Sequence, residues 1–419
     1  MVNYGMAGES GHKKGSRERK GNAFMNFRQA AEAAGDYIIQ QRRWFHRHPE
    51  LSLEERRTTD KIQEELEKLG YEVHRYPDYN GCWCMLEGGA GRTVALRADI
   101  DALPVLEKTG LPFASENEGV MHACGHDCHI AMLLGAARLL MEHRDQVRGR
   151  VKLLFQSGEE TCHGSEYYVE HGFLDGVDAI MGQHIWGKLK EPFLNFQPGR
   201  RMASCDNFSI TVEGVSAHGT QPELGADALV AAASILMNLQ TFASRNNDPL
   251  NPLVVTVGEM RGGQRFNIIA NHAELHGTVR TFDPAFRKSV EGRLRQIAEH
   301  TAAALGVRAR LDYHYYCSPI VNDDDFLNGV AQRAAEKLYG PGACGELPMA
   351  MGSEDFGYFA DRVPAVFGFL GSRNEALGYT AGNHNDRYTV HEPVLIRGAA
   401  MYAQFAADYL EAAGDGEAR

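Results

Sequence analysis

The chain has 419 residues, of which 43% are hydrophobic, so it is long enough for two domains that each bury a core. Its formal net charge of -12 argues against nucleic acid as the main partner, because phosphate backbones attract basic surfaces. No apolar run approaches the roughly 20 residues that a helix needs to cross a bilayer, so we expect no membrane partner.

The first 23 residues differ from the rest of the chain. They contain a run of Lys and Arg among Gly and Ser, and they lack the apolar segment of a secretion signal. We interpret residues 1–23 as a flexible basic tail. The cysteines are sparse and irregularly spaced, which favours reduced thiols and a cytoplasmic location over a disulfide framework.

Helical and strand-like segments alternate after the tail. Residues 27–70 are helical in pattern, and residues 127–144 predict a second helical stretch. Short apolar runs at 94–98, 151–155 and 179–185 are typical of buried strands. This alternation predicts an α/β domain with a mostly parallel sheet and helices on both faces. In such sheets, ligands bind at the carboxyl ends of the strands.

The middle of the chain has a different order of elements. Strands are predicted at 208–213, 253–259, 273–282 and 308–315, and helices at 225–243 and 286–305. The order β-α-β-β-α-β is that of a ferredoxin-like unit. We therefore predict an inserted domain over 204–315. Residues 24–203 and 316–419 would form the larger domain, which ends in a helix at about 392–412.

The densest group of reactive side chains is the segment HACGHDCH, residues 122–129. Cys124 and His126 are two residues apart just before a predicted helix, so one loop could direct both at the same centre. Thiolate and imidazole are ligands that borderline divalent ions prefer. The alternative is a buried cysteine in an ordinary capping loop, but this density favours metal.

Glu159 and Glu160 follow the predicted strand at 151–155. Adjacent carboxylates at a strand end can divide two tasks, since one can bind metal while the other takes a proton from water. Such a pair taken alone is usually a solvated surface feature. It gains significance from the neighbouring motifs.

Four further motifs contain residues suited to the same chemistry. His184 ends the apolar strand at 179–185, and His384 lies in the segment GNHN near the end of the chain. Residues 351–356, with the sequence MGSEDF, form a Gly-containing turn. Asp101 closes the segment RADID after the strand at 94–98, where a carboxylate can orient a ligand histidine or bind metal directly.

Together these residues and their order resemble the N-acyl amino-acid amidohydrolases. That family includes bacterial aminoacylases, hippurate hydrolases and plant hydrolases of auxin-amino-acid conjugates, within a superfamily of dinuclear metallo-aminoacylases and carboxypeptidases. The resemblance extends from the segment WFHRHPE at 44–50 to the end of the chain. Its motifs are RADIDALP, HACGHD, the glutamate pair, GSEDF and the late histidine.

The resemblance implies two divalent metal ions per subunit, zinc or manganese, with cobalt or nickel as alternatives. The implied metal ligands are Cys124, His126, Glu160, His184 and His384. Cys124 would bridge the two ions. Glu159 would be the general base and then the acid that protonates the leaving amine, and Asp101 would orient a ligand. His391 is the alternative to His384.

The resemblance also implies that the inserted domain is a lid through which the enzyme dimerises. His218 matches the family histidine that polarises the scissile carbonyl, often across the dimer, and a donor aimed at the developing oxyanion is a large catalytic contribution. Asn267 and Arg280 match positions that hold the substrate carboxylate or oxyanion. Without the resemblance, we would interpret Asn267 as an ordinary turn residue and Arg280 as a solvated strand residue.

Some positions depart from the family pattern. Cys128 stands where the family commonly has glycine, and Cys162 and His163 follow the glutamate pair where small residues are more typical. These differences bear on the shape of the acyl pocket. His122 and His129 are interpreted as structural residues or as residues that orient the ligands.

The resemblance therefore implies metal-dependent hydrolysis of the amide bond of N-acyl amino acids or dipeptide-like substrates. A dipeptidase or carboxypeptidase is the near alternative, because the two differ mainly in the acyl pocket. A metal-binding protein without turnover is the alternative from another class. Structural zinc sites are closed by four ligands and need no free carboxylate, so Glu159 beside Glu160 favours the enzyme.

Overall fold

The computed structural model describes residue 1 and residues 26–414. The predicted basic tail lies outside the described residues, apart from Met1. The helices are α1 (Phe27–Ala33), α2 (Gly35–Arg47), α3 (Arg56–Lys68), α4 (His126–Glu142), α5 (Gly164–Glu170), α6 (Ala228–Thr241), α7 (Pro284–Ala304), α8 (Asp325–Tyr339), α9 (Gly357–Ala360) and α10 (Val394–Gly414).

The strands form a larger and a smaller sheet together with a short two-stranded ribbon. They are β1 (Val73–Tyr76), β2 (Tyr79–Glu87), β3 (Thr93–Asp99), β4 (Arg150–Gln156), β5 (Ala179–Lys190), β6 (Leu194–Asn195), β7 (Gly199–Met202), β8 (Asp206–Glu213), β9 (Leu253–Gly262), β10 (His272–Thr281), β11 (Arg308–Tyr315), β12 (Ile320–Asn322) and β13 (Ala365–Arg373).

The larger sheet has seven strands in the order β1-β2-β4-β3-β5-β13-β6. Its four central strands β4, β3, β5 and β13 are parallel, and the outer strands are antiparallel. Apolar side chains fill both faces: Leu96 joins the core under α4 and α10, while Ala95 faces the core under α5 and α9. This arrangement confirms the predicted mostly parallel α/β fold.

The amino-terminal helical region differs from the prediction of one helical stretch over 27–70. It forms three helices, with a break between α2 and α3 over residues 48–55. His48 precedes Pro49, and the residue before a proline is pushed away from helical backbone angles by the proline ring. Local composition is helical on both sides of this break, which explains why the pattern concealed it.

The carboxyl ends of the parallel strands position the candidate site. Asp101 follows β3, the glutamate pair follows β4 after a short turn, and His184 lies within β5 beside Phe369 of β13. The helix α4 begins at His126 on the same edge of the sheet. These short local segments therefore meet because parallel strands end at a common edge.

Residues 206–315 form the smaller sheet and its two helices. The strand order is β11-β8-β10-β9, and α6 and α7 cover one face. Its core contains Ile210, Leu275 and Leu294 and is separate from those of the larger sheet. The two connections to the rest of the chain lie side by side, since the Cys205 N–H donates to the Cys317 carbonyl over 2.9 Å. The exact domain boundaries stay a prediction.

Two further observations concern the environment of the protein. None of the helices in residues 26–414 is both long and apolar enough to span a membrane. All eight cysteines are free. The cytoplasmic location stays a prediction.

The close approach of α4 to its neighbours can be tested at Gly135. A Cβ atom at this position would lie 2.8 Å from Ile38 Cγ1 and 2.9 Å from Ala399 Cβ, on α2 and α10 respectively. We expect Gly135→Val to lower the free energy of unfolding by about 1–3 kcal/mol in urea titrations, because the helices must separate.

Gly292→Ala is the matched control for this substitution. Gly292 lies on the exposed side of α7, where a Cβ atom would meet open space. We expect this variant to be neutral or stabilised by up to about 1 kcal/mol. Equal stability of both variants would contradict the close packing of α4.

Candidate metal centre and active site

The structure brings together the donor atoms of all five predicted ligands. Cys124, His126 and His184 form one cluster, and Cys124, Glu160 and His384 form another, with the donor atoms of each cluster within 4.8 Å of one another. Cys124 Sγ lies 3.3 Å from His184 Nε2, and His384 Nε2 lies 3.4 Å from Glu160 Oε1. The two clusters therefore share the thiol of Cys124.

The turn between Cys124 and His126 depends on a glycine. Gly125 has a φ of 96°, in the left-handed region that side chains with a Cβ rarely adopt. A Cβ there would also lie 2.6 Å from Ile185 Cγ2. Glycine thus allows the chain to present the thiol and then begin α4 with the imidazole of His126.

Hydrogen bonds determine which ring nitrogens face the cluster. His126 Nδ1 lies 3.0 Å from Asp101 Oδ1, and His184 Nδ1 lies 2.6 Å from the Ile185 carbonyl. Both partners can only accept, so each Nδ1 donates, and Nε2 is the ring nitrogen that could bind a metal ion once it carries no proton. Asp101 Oδ2 also accepts the Glu160 N–H over 2.9 Å, so one carboxylate orients two predicted ligands.

The protonation of these groups reflects their burial. Burial lowers the pKa of His126, but the charges of Asp99 and Asp101 more than offset it and raise that pKa to about 10. Burial lowers the pKa of His184 well below its ordinary value, and burial with the charge of Glu160 raises the pKa of the Cys124 thiol well above its own. A bound cation would instead favour the thiolate form of Cys124, because a coordinating thiol is deprotonated.

The residues present fit a divalent metal. His126 Nε2 and Glu160 Oε1 are buried and have no hydrogen-bond partner among the residues that the structure describes, and such atoms are costly unless something satisfies them. Sulfur, nitrogen and carboxylate oxygen donors are those that zinc and similar ions bind. The orphaned atoms and the donor set therefore point to the same class of ligand.

Glu159 lies beside the clusters and is held differently from Glu160. Its Oε1 accepts the Asp355 N–H over 3.2 Å, and its Oε2 lies 4.0 Å from His126 Nε2. The side chain is only 6% exposed. Burial, followed by the charges of Glu354 and Glu160, raises the pKa of Glu159 well above its ordinary value. The carboxyl group can therefore hold a proton under conditions where an exposed glutamate would not.

The segment that contains His384 is tied to the other ligand segments. The His384 N–H donates to the Ala123 carbonyl over 2.7 Å, and Asn383 Nδ2 donates to the carbonyls of Cys124 and Ile185 over 2.8 and 3.1 Å. The alternative, His391, instead has its Nδ1 2.8 Å from Glu191 Oε1. It is absent from the clustered donor atoms of the described residues.

The three predicted residues of the inserted domain are His218, Asn267 and Arg280. His218 is exposed, and its Nδ1 lies 2.7 Å from Thr220 Oγ1. Asn267 is adjacent, because the Gly219 N–H donates to its carbonyl over 2.9 Å. Arg280 Nη1 donates to Ser353 Oγ in the GSEDF turn, which connects β10 with the larger domain. Among the described residues, His218 is not part of the clusters that could hold a metal ion.

Sequence reasoning missed the residues that hold the ligand loops in place. Asn383 was such a residue, and its position directly before His384 was the only local signal. Glu55 was another: it accepts hydrogen bonds from Ser157 Oγ over 2.5 Å and from the Gly158 N–H over 2.9 Å. It thereby anchors the turn that precedes the glutamate pair, although it lies about a hundred residues earlier in the chain.

Comparison with known proteins gives a consistent result. Residues 95–408 match the family model described as peptidase family M20/M25/M40. The chain is 38% identical to an N-acetyl-L-cysteine deacetylase of Bacillus subtilis (strain 168), covering 86% of this chain and 85% of that protein. It is 35% identical to thermostable carboxypeptidase 1 of Saccharolobus solfataricus, covering 89% of this chain and 95% of that protein.

A solved structure agrees with these sequence matches. A Bacillus subtilis protein described as a dinuclear metal binding peptidase from the M20 family superimposes with a TM-score of 0.81 at 34% identity. The match covers 91% of this chain and 99% of that protein. The similarity thus extends across both sheets.

The anchoring carboxyl group of Glu55 predicts a pH dependence. Burial and then the charge of Asp101 raise its pKa from about 4.5 to about 7 in the folded protein. A raised folded pKa means that the contribution to stability is complete below the unfolded pKa and is lost as the pH rises through 7. We expect the difference in unfolding free energy between wild type and Glu55→Gln to fall between pH 5 and 8 in denaturant titrations.

Glu54→Gln serves as the control for this measurement, because Glu54 is the exposed neighbour of Glu55. Its difference from wild type should show no such slope. If the difference in unfolding free energy between wild type and Glu55→Gln stays constant over this pH range, the carboxyl group has the same pKa in the folded and the unfolded chain.

Proposed function

Because the chain belongs to peptidase family M20/M25/M40, we propose that it is a metal-dependent amidohydrolase that cleaves the amide bond of N-acyl amino acids. The products are a carboxylic acid and a free amino acid. Family membership confirms the resemblance inferred from the motifs. The observation that carries the proposal is the convergence of two ligand clusters with the buried Glu159 beside them.

We assign the five clustered residues to two divalent ions. Cys124, His126 and His184 would hold one ion, and Cys124, Glu160 and His384 the other, so that Cys124 is shared. The solved relative described as dinuclear supports this assignment. Zinc or manganese suits the mixture of thiolate, imidazole and carboxylate donors, and cobalt and nickel are compatible with it.

When bound, the metal pair lowers the pKa of the attacking water and polarises the amide carbonyl. The residues of the chain supply the proton transfers. Asp355 holds Glu159 at Oε1, which leaves Oε2 on the side of His126 to accept the proton of the water. Glu159 would keep that proton until it is delivered to the departing nitrogen.

The inserted domain would contribute the remaining substrate contacts. Arg280 projects toward the GSEDF turn, and we assign it and Asn267 to the substrate carboxylate or the oxyanion. The unpartnered, buried Oδ1 of Asn267 supports a polar role for this residue. We assign His218 to stabilisation of the tetrahedral oxyanion, delivered by a second subunit because it is exposed and lies apart from the ligands of its own chain.

Two alternative functions differ in what supports them. A dipeptidase or carboxypeptidase is favoured by the 35% identity with thermostable carboxypeptidase 1. A metal-binding protein without turnover is disfavoured by the geometry, because a closed structural site has no use for a buried carboxyl group such as Glu159 next to its ligands.

The hydrolytic role of Glu159 can be tested with a substrate panel. N-acetyl amino acids, N-benzoyl amino acids and dipeptides would be assayed against wild type and Glu159→Gln. We expect turnover by wild type and a fall in kcat of about 10²- to 10⁴-fold in the variant, because it cannot accept the proton. Metal content, measured by elemental analysis, should be unchanged. A chelator should abolish wild-type activity, and added metal should restore it.

Glu170→Gln is the control, since Glu170 is exposed on α5 and should retain full activity. If wild type loaded with metal hydrolyses no member of the panel, the reading as a metal-binding protein without turnover is favoured. Turnover of dipeptides alone would favour the peptidase.

A homodimer through the inserted domain is supported by two features of its surface. The strand β9 is the last strand of the four-stranded sheet, so one side of its backbone pairs with no other strand in residues 26–414. Large apolar side chains are exposed on the same domain, among them Val230 and Met237 on α6, Met260 on β9, and Phe266, which is 95% exposed. Several exposed apolar side chains on one domain support its assignment as the interface.

We expect Met237→Glu combined with Met260→Glu to shift the protein to a monomer in analytical ultracentrifugation, because the charges would be buried in an apolar contact. Activity should fall with dimer content if His218 acts on the neighbouring subunit. Leu106→Glu, at a 56% exposed apolar residue of the larger domain, should leave the oligomeric state unchanged. A monomeric wild type with full activity would refute both the dimer and the role of His218 across it.

A further inference from the structure

A buried arginine connects the segment that holds Glu159 with the segment that contacts the histidines of the site. Arg97 lies in the middle of β3 and is only 2% exposed. Its guanidinium donates in three directions: Nη1 to Asp99 over 2.7 Å, Nη2 to Asp355 over 2.7 Å, and Nε to Gln156 over 2.7 Å. Nη2 also lies 2.9 Å from Glu354 Oε1.

One end of this network holds Glu159. The Asp355 N–H donates to Glu159 Oε1 over 3.2 Å, so the position of the Asp355 peptide determines the position of the carboxylate. The Asp355 side chain is itself fixed by Arg97, by Gln156 Nε2 over 2.7 Å and by the Ser165 N–H over 2.8 Å. The contact between Arg97 and Asp355 joins residues 258 positions apart.

The other end of the network reaches the histidines. Asp99 Oδ1 lies 2.5 Å from His129 Nδ1 and 3.8 Å from His126 Nδ1. His129 Nε2 accepts the Ile185 N–H over 2.8 Å, next to His184. A displacement of Arg97 could therefore be transmitted to Glu159 through Asp355 or to the ligands through Asp99.

The cost of burying these charges indicates a purpose beyond stability. Asp99, Glu354 and Asp355 are each 1% exposed or less and face a single guanidinium within 2.9 Å. Desolvation of such groups largely cancels their attraction, so apolar residues often stabilise a core as well as a buried ion pair does. What an ionic network adds is fixed geometry, because the planar fork of arginine holds its partners at defined angles.

We propose that Arg97 is a positioning residue for hydrolysis: through Asp355 it holds the Glu159 carboxylate in the orientation needed for proton transfer. This inference rests on the proposed function. The ligands have their own anchors in Asp101, Ile185 and Asn383, whereas the Asp355 N–H is the hydrogen bond that holds Glu159 Oε1. The effect of Arg97 should therefore appear in proton transfer and leave metal binding intact.

The test is Arg97→Lys, which keeps the charge but cannot make the three-way fork. We expect kcat on the best N-acyl amino acid of the panel to fall about 10- to 100-fold, the range seen when a residue supporting an active-site group is replaced. KM should change by less than about 2-fold, because the interaction acts on the chemical step. Metal content and affinity, measured by competition with a chelating dye, should match wild type.

The dependence on Glu159 is tested with the double variant. In a Glu159→Gln background, Arg97→Lys should cause no further loss of the residual activity, because the group that it positions no longer takes the proton. Arg201→Lys is the matched control: Arg201 is 6% exposed and donates to Asn195 and the Leu347 carbonyl, away from the ligands. It should keep wild-type kcat even if its melting temperature falls.

Three outcomes would overturn the inference. Unchanged kcat in Arg97→Lys with only a lower melting temperature would show a structural role. A loss of metal affinity in proportion to activity would show that Arg97 acts through Asp99 on the ligands. If the losses of activity from Arg97→Lys and Glu159→Gln multiply in the double variant, Arg97 acts independently of Glu159. If Arg97→Lys fails to fold, Asp355→Asn, which weakens the same contact, is subjected to the same criteria.

The result for wild type separates this inference from the proposed function. If wild type hydrolyses the panel and Arg97→Lys does so equally well, the positioning role fails and the function stands. If wild type with bound metal hydrolyses nothing, both fail together.

Discussion

A concentration of acidic side chains at one edge of the larger sheet is the constraint on which the site depends. Six carboxylates gather at the carboxyl edge of the larger sheet: Asp99, Asp101, Glu159, Glu160, Glu354 and Asp355. The buried guanidinium of Arg97 faces three of them. Charges removed from water are costly unless they are paired, so this edge of the sheet suits divalent cations. The unpartnered Nε2 of His126 and Oε1 of Glu160 lie where such cations would be bound.

The predicted ligands and the predicted base are held by different hydrogen bonds. Asp101 and the carbonyl of Ile185 orient the ligand imidazoles, while the peptide of Asp355 holds Glu159. Adjacent residues of one turn are thus held by different parts of the fold. This separation supports the proposed division of roles, with Glu160 as a metal ligand and Glu159 as the group that takes up a proton.

The inserted domain completes the chemistry in the proposed function. Its contact with the larger domain through Arg280 and Ser353 brings a cationic side chain to the GSEDF turn. The exposed position of His218 explains why one chain alone would lack an oxyanion-stabilising imidazole, and the unpaired edge of β9 offers a surface for a second copy. Assembly and catalysis are therefore linked in this proposal.

The sequence by itself determined the features that depend on short spacing. Alternating strands and helices predicted the parallel sheet, and Cys124 could be placed near His126, and Glu159 near Glu160, because covalent geometry keeps neighbours together. Their roles in the prediction came from the family resemblance. The tertiary structure decided the features that depend on distant segments: the position of His384, rather than His391, among the clustered donor atoms, the anchoring by Asn383 and Glu55, and the partners of Arg97. No local pattern encodes these contacts, because they arise only when packing brings together strand ends and loops that are far apart in the chain.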